Sequence, residues 1–174
     1  ADNWADAKWL HDTAKELKVP LMAGSSLPVL WRYPPVDVKR DAKLKEIVAV
    51  SYHTLDAYGY HALEMVQCLT ERRAGGETGV KQVQTLTGEA VWKAMDEELF
   101  DPDLLKDALK HLKRSPITAQ PNKPLKELVK DPVLFVIEYL DGLKAYILTL
   151  NGAVNEWGVA WKNISGQKKS TTFW

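Results

Sequence analysis

"VLFVIEYLDGLKAYILTL", residues 133 to 150, decides what kind of fold this chain can adopt. Two apolar runs rich in β-branched and aromatic residues flank Asp141-Gly142, the pattern of a β-hairpin with a type I′ turn. Val133, Phe135, Ile137 and Tyr139 alternate with Leu134, Val136 and Leu140. In the second run Tyr146, Leu148 and Leu150 alternate with Leu143, Ala145 and Ile147. A sheet with one wet face would alternate apolar with polar, so both faces of these strands must be covered. "GAVNEWGVAWKN" and "KKSTTFW" continue as further strands, and the strand over 153–162 carries the same two-sided pattern. The later part of the chain therefore reads as an antiparallel sheet.

Upstream, the pattern is mixed. "KLKEIVAVSYH" predicts a strand with a continuous apolar centre, Ile47 to Val50. Residues 55–73 predict the strongest helix, ended by Ala74-Gly75-Gly76. "GVKQVQTLTG" alternates as a half-exposed strand, and "EAVWKAMDEELF" and "DPDLLKDALKHLKR" predict two helices. Asp101 is placed to cap the second, with Pro102 at its first position. "SPITAQPNKP" reads as a loop. At the start, Trp4, Ala7, Leu10, Ala14 and Leu17 recur at helical spacing over 3–17, capped by Asp2 or Asn3. Pro20 stops that helix, and Leu21 to Ala23 predict a short apolar strand ending at Gly24. Such a strand needs parallel neighbours, which nothing upstream supplies. Trp4, Trp9 and Leu10 are then expected to be exposed unless a longer chain covers them.

Composition bounds the function. The 174 residues carry 23 basic and 23 acidic side chains, so there is no basic footprint for nucleic acid. No apolar run reaches the length of a membrane span, and no signal peptide is visible. A cytoplasmic location is expected. The lone Cys68 excludes an internal disulfide and a cysteine metal cluster. "AGGETG" at 74–79 mimics a dinucleotide loop, but it follows a helix and precedes a strand, the reverse of what a phosphate loop requires. It reads as a helix cap and turn. No metal site is expected.

The chemistry candidates gather at one corner. Ser51-Tyr52-His53-Thr54 ends a strand and Leu55-Asp56 begins the main helix. His53, Asp56, Tyr58 and His61 therefore share a strand-to-helix corner, where sites in α/β proteins often lie. On the helix His61 neighbours Tyr58, Glu64, Met65 and Cys68. A histidine so flanked is by default a core residue with one hydrogen bond. The corner, and Gly59 within it as a place where a backbone or ligand could approach, argue for function instead. The four are predicted to converge on a cleft facing the end of the 21–24 strand. Trp31, Trp92, Trp157 and Trp161, with Tyr52, Tyr58 and Tyr60, could stack on a sugar ring, although aromatics more often serve as core.

"LDAYGYHALEMVQCL", residues 55–69, resembles the D-x-G-x-H-x-x-D helix of the glucose–fructose oxidoreductase and inositol dehydrogenase superfamily. "ADAKWLHDTAKELKVPLMAGSS" is similar to the last helix and strand of that family's nucleotide-binding domain, and the order of elements that follows is similar too. The resemblance covers nearly the whole chain. It implies an α+β fold, a mostly antiparallel open sheet covered by helices on one face, preceded by the last helix–strand unit of a Rossmann-type domain. Residues 1–30 would be the end of the dinucleotide-binding domain. Residues 31–174 would be the substrate-binding and oligomerisation domain. The implied activity is hydride transfer between NAD or NADP and a sugar, cyclitol or related polyol, with the cofactor bound mainly upstream of Ala1. His61 and Asp56 would be catalytic, and Tyr58, His53, Arg32 and Trp31 would bind substrate. Imidazole suits the loss of a hydroxyl proton near neutral pH. Three departures stand out. The family's aspartate falls on Ala57, with Asp56 one place off. The E-K-P lysine and the glycine-rich loop lie outside the chain. "RYPP" at 32–35 sits farther from Gly24 than the matching family segment does. A non-catalytic relative using the same domain for ligand binding or assembly is the alternative. The second face of the sheet is expected to be covered by another subunit, giving a homodimer or higher assembly, or else by chain beyond Trp174.

Overall fold

The computed structural model describes residues 3–174. Seven strands form one mixed sheet: β1 (Arg32–Tyr33), β2 (Leu44–Ser51), β3 (Val80–Thr87), β4 (Val133–Tyr139), β5 (Lys144–Thr149), β6 (Trp157–Asn163) and β7 (Lys168–Phe173). They lie in the order β1-β7-β6-β2-β5-β4-β3. Neighbours are antiparallel except β2 and β5, which run parallel with Glu46 opposite Lys144 and Ser51 opposite Thr149. The helices are α1 (Trp4–Glu16), α2 (Tyr60–Thr70), α3 (Glu89–Asp96), α4 (Pro102–Leu109) and two single turns, α5 (Pro116–Ala119) and α6 (Leu125–Leu128). The α5 turn occupies part of the stretch expected to be loop. β2 takes the centre because Ile47, Val48, Ala49 and Val50 are all fully buried, a run that only a strand covered on both faces can hide.

The β4–β5 hairpin forms where the sequence places it, with Phe135 opposite Ile147 and Val136 opposite Tyr146. Its turn is not type I′, which needs positive φ at both central residues. Asp141 does not have it; Gly142 does, at φ 86°. Gly142 N–H donates to Tyr139 C=O at 3.0 Å, and Tyr139 N–H to Leu143 C=O at 2.9 Å. The loop thus holds three residues, Leu140 to Gly142, with glycine in the left-handed position. Asp141 is freed to accept from Arg73 Nε at 2.7 Å. The buried Arg73 also donates to Thr70 C=O and Thr78 Oγ1 and lies 4.7 Å over the Tyr139 ring, tying the end of α2 to the hairpin. The intervening 74–79 stretch is a turn with Gly75, Gly76 and Gly79 all at positive φ.

Helices cover both faces of the sheet, not one. α2 packs Met65, Val66 and Leu69 against Ile47, Ala49, Ile147 and Val159. On the opposite face α3 and α4 pack Val91, Trp92, Leu104, Leu105 and Ala108 against Val48, Val50, Leu134 and Leu148. α4 presses closest: a Cβ added to Gly158 on β6 would stand 2.1 Å from Ala108 C=O, so only glycine lets this helix backbone lie on the strand. The two-sided apolar pattern of the strands is therefore satisfied within the chain. That removes the argument from pattern for a second subunit stacked on the sheet.

The N-terminal segment departs from expectation. α1 forms, capped by Asn3, whose Oδ1 accepts from Asp6 N–H at 2.9 Å. Residues 21–24 form no strand, because among the described residues no strand lies beside them to complete the ladder. No residue of α1 is buried; Trp4 is 80% and Trp9 64% exposed. The chain joins the sheet's body at Ser25 and the buried Leu27.

Because β2 and β5 are parallel, they share their ends. At the starting end a polar row crosses the sheet in register: Gln82, Glu138, Lys144, Glu46, Lys162 and Lys168. Lys162 and Lys168 would repel across β6 and β7, but Asp101, the N-cap of α4, lies 2.7 Å from the first and 3.1 Å from the second. Glu46 takes Lys162 at 3.1 Å and Asp101 N–H at 2.8 Å. Burial works to raise the Asp101 carboxyl, but the hydrogen bonds from Lys162, Lys168 and Asp103 N–H outweigh it and hold it down at about 2.

Candidate functional site

The finishing end of β2 turns sharply into α2, and the turn is built from a strained residue and a wide helical turn. His53 has φ 72°, a left-handed conformation uncommon outside glycine. Asn151, at the matching end of β5, holds it there. Its Oδ1 accepts from His53 N–H at 2.6 Å and its Nδ2 donates to His53 C=O at 3.2 Å. Leu55–Gly59 then form one π-helical turn before α2 begins. Such insertions recur at functional sites because they rotate the side chains ahead of a helix out of the regular spacing. Gly59 is not a point of close approach: a Cβ there would meet only ordinary contacts, 3.7 Å from Leu55 and 3.9 Å from Phe135.

The corner assembles a ring stack. Tyr58 lies between His53, 4.6 Å away at 29°, and Trp157 on β6, 5.4 Å away at 11°. Tyr52 packs against both Tyr58 and Trp157, each at 5.1 Å. His61 stands edge-on to Tyr58 at 5.9 Å and to Trp157 at 6.4 Å. Its Nδ1 is hydrogen-bonded to Ser25 Oγ at 2.6 Å, and Ser25 Oγ also accepts from Leu27 N–H at 3.0 Å. The bond to Ser25 fixes the ring's orientation, and Nε2, which has no hydrogen-bond partner among the described residues, is available to exchange a proton or a hydrogen bond with a bound hydroxyl. Gly24 comes close to the same shelf: a Cβ on it would lie 3.7 Å from Glu64 Oε2 and 3.8 Å from the Tyr60 hydroxyl. Partial burial and the charge of Glu64 both raise the Tyr60 phenol, so it stays a neutral donor.

The structure thus brings His53, Tyr58 and His61 together and sets them beside Gly24 and Ser25. The surface they form is an open shelf: His61 and Tyr58 are half-buried, and His53 and Tyr60 are exposed. Asp56 is exposed on the π-turn and, among the described residues, makes no hydrogen bond or ion pair with the group. Arg32 is not free for a substrate at its donating ends. Its guanidinium donates to Leu30 C=O at 2.6 Å and Pro28 C=O at 3.1 Å, lies 4.4 Å over Phe173, and faces Asp37 at 3.8 Å. It fastens the 27–29 turn to the sheet. Trp31, 85% exposed, pairs its backbone with Trp174 and stands apart from the stack. Burial pushes the Cys68 thiol up to about 11, which leaves it without thiolate reactivity at neutral pH.

Sequence reasoning missed Ser25 and Asn151. Both lie far off along the chain, Ser25 36 residues from His61 and Asn151 98 residues from His53. The available signal was their position: each sits just past an apolar run, beside a glycine. Tyr52 and Trp157 also border a cavity of about 240 Å³ with Arg114, Glu156, Phe173 and Trp174. Glu156 is spent on the connection between α4 and α5, accepting from Lys113 N–H, Arg114 N–H and Ser115 Oγ. Among the described residues no cluster of three or more His, Cys, Asp and Glu is placed to hold a metal ion, and no helix is long and apolar enough to cross a membrane. No family model, no curated protein and no solved structure matches the chain.

Proposed function

We propose that this chain is the substrate-binding portion of an NAD(P)-dependent oxidoreductase, acting on a sugar, cyclitol or related polyol by hydride transfer. The observation that carries the reading is the Ser25–His61 hydrogen bond of 2.6 Å. It fixes an imidazole with one free nitrogen on a shelf flanked by Tyr58 and by the Tyr60–Glu64 pair, beside the segment that leads out of α1. An alcohol oxidised on this shelf must lose its hydroxyl proton as hydride leaves its carbon, and on this reading His61 Nε2 receives it. The exposed Tyr60 ring suits the apolar side of a sugar ring, while its hydroxyl and Glu64 offer a donor and an acceptor to the sugar hydroxyls. The nicotinamide supplies the hydride acceptor and, on this reading, is held mainly by residues upstream of Ala1. Arg32 and Trp31 are left out of the site, and Asp56 has no part in the shelf.

A second reading, a ligand-binding relative without catalysis, is favoured by Ala57, which stands four positions before His61 where the motif it resembles carries an aspartate, and by the isolation of Asp56. One experiment separates the two. The full-length protein is assayed for polyol-dependent reduction of NAD and NADP, and for polyol binding by calorimetry, with and without His61→Gln. The enzyme reading expects turnover that falls about 100-fold in the variant. Binding without turnover would replace it by the second reading. Absence of binding to any sugar, cyclitol or polyol would sink both.

A further inference from the structure

The polar row at the starting end of β2 and β5 leaves one cation without a carboxylate. Lys144 stands in register between Glu46 on β2 and Glu138 on β4. Both neighbours are engaged elsewhere. Glu46 is held by Lys162 and by Asp101 N–H. Glu138 accepts from Lys81 and from Gln82, each at 2.9 Å. Among the described residues Lys144 finds no ion-pair partner, and neither does Lys45, one residue from Glu46 on the β2 bulge. Both line a cavity of about 500 Å³, within the range of small-molecule sites.

The floor of this cavity is less ordinary than its lysines. Tyr146 is only 3% exposed, its ring packed 5.3 Å from that of Phe100, yet its hydroxyl has no hydrogen-bond partner among the described residues. That oxygen is not sealed in, since Arg32 Nε is the only fully buried unpartnered side-chain atom among those residues. The phenol therefore opens onto the cavity. A tyrosine buried apart from an unpartnered hydroxyl presents that one polar atom to whatever fills the cavity. Burial, with Glu46 and Glu138 nearby, pushes this phenol up to about 12, so it is a donor at neutral pH. Glu98 lines the rim, its carboxylate unpaired among the described residues. It follows the C-cap of α3, Glu97, at φ 51°, where glycine is favoured, and Leu99 N–H closes the helix on Ala94 C=O at 2.9 Å.

We propose that this cavity binds a small amino or hydroxy acid. Its carboxylate is met by Lys144, Lys45 and the Tyr146 hydroxyl, its donor by Glu98, and its apolar body by Leu99 and Phe100. This site is separate from the His61 shelf, at the opposite end of the same two strands, and does not depend on what that shelf does.

The test is a nitrogen-15 NMR titration of the protein with L-leucine, with its hydroxy analogue 2-hydroxyisocaproate, and with leucinamide, which lacks the carboxylate. The expected result is saturable shifts at the amides of Leu99, Phe100, Gly142 and Lys144 with one or both acids and none with leucinamide. Lys144→Ala and Tyr146→Phe should each weaken binding about tenfold. Tyr146→Phe keeps the packed ring and Lys144 is exposed, so both variants should keep the parent circular dichroism. His61→Ala should leave the affinity unchanged. No saturable shift with either acid, equal shifts with leucinamide, undiminished binding in both site variants, or loss of binding in His61→Ala would each overturn the proposal.

Discussion

The two ends of the parallel pair β2–β5 are built from opposite materials. At the finishing end, Tyr52, His53, Tyr58, His61 and Trp157 meet as rings, held by stacking and edge contacts. At the starting end, Glu46, Asp101, Lys162 and Lys168 meet as charges, and their rings are few. The same two strands carry both, so strand chemistry alone does not decide what an end becomes. What differs is the element delivered to each end. The first receives a glycine-containing π-turn and the indole of β6. The second receives the N-cap of α4, whose carboxylate converts two repelling lysines into a closed network. One end is held by contact area and leaves a nitrogen free; the other is held by charge and leaves a cation and a phenol facing a cavity.

Four measurements can break or sharpen that contrast. The largest effect is expected for Trp157→Ala. Removing the indole that packs on both Tyr52 and Tyr58 should lower stability by about 3–5 kcal/mol in denaturant unfolding. A loss smaller than that of any charge variant at the other end would break the comparison. Next comes Lys162→Met, which keeps the stem but leaves the largely buried Glu46 without its cation and Asp101 with Lys168 alone. A loss of about 2–3 kcal/mol is expected; a neutral or stabilising result would show that packing carries the charged end as well.

The third is acid. The Asp101 carboxyl titrates at about 2 in the folded protein and at 3.8 as its reference. The folded state thus binds fewer protons than the unfolded one. Its contribution is complete above about pH 4 and is lost as pH falls toward about 2, amounting to about 1–2 kcal/mol after solvent screening. Added salt should shrink this loss, and Asp101→Asn should remove it. An acid loss of the same size in Asp101→Asn would assign it elsewhere. The smallest effect is Asn151→Ala, about 1 kcal/mol from the two hydrogen bonds to His53. It should also separate the His53 and Tyr58 rings, read as lost proton–proton contacts in NMR. Rings that stay stacked would mean that Trp157 alone sets the corner.

What could be read from the sequence follows range. The strands and helices were legible because apolar periodicity is local: the β4–β5 hairpin, the buried centre of β2 and the Asp101-Pro102 start of α4 all appear where the residues place them. The pairing of β2 with β5 was not, since Glu46 and Lys144 lie on strands separated by several helices and two other strands. The covering of the second face was missed because amphipathic α3 and α4 do not say which side of the sheet they will take. The 21–24 strand was over-read, since an apolar run becomes a strand only when a ladder receives it. At the site, the His53–Tyr58–His61 corner was visible as a run of neighbours, whereas Arg32 entered by likeness of the "RYPP" segment and Trp31 as a ring suited to a sugar; the Arg32 guanidinium is engaged by the Leu30 and Pro28 carbonyls, and Trp31 lies exposed at the sheet edge with its backbone paired to Trp174.

The exposure of α1 gives the molecule an optical division. Of its seven tryptophans, Trp92, Trp157 and Trp161 are buried in the body of the sheet, and Trp4, Trp9, Trp31 and Trp174 face water. Native emission should therefore contain a red-shifted fraction that iodide quenches and a blue-shifted fraction that it does not reach. Unfolding acts on the second, while anything that seats on α1 acts on the first. The same spectrum can then follow, without any label, both the melting of the sheet and the docking of the helix that stands outside it.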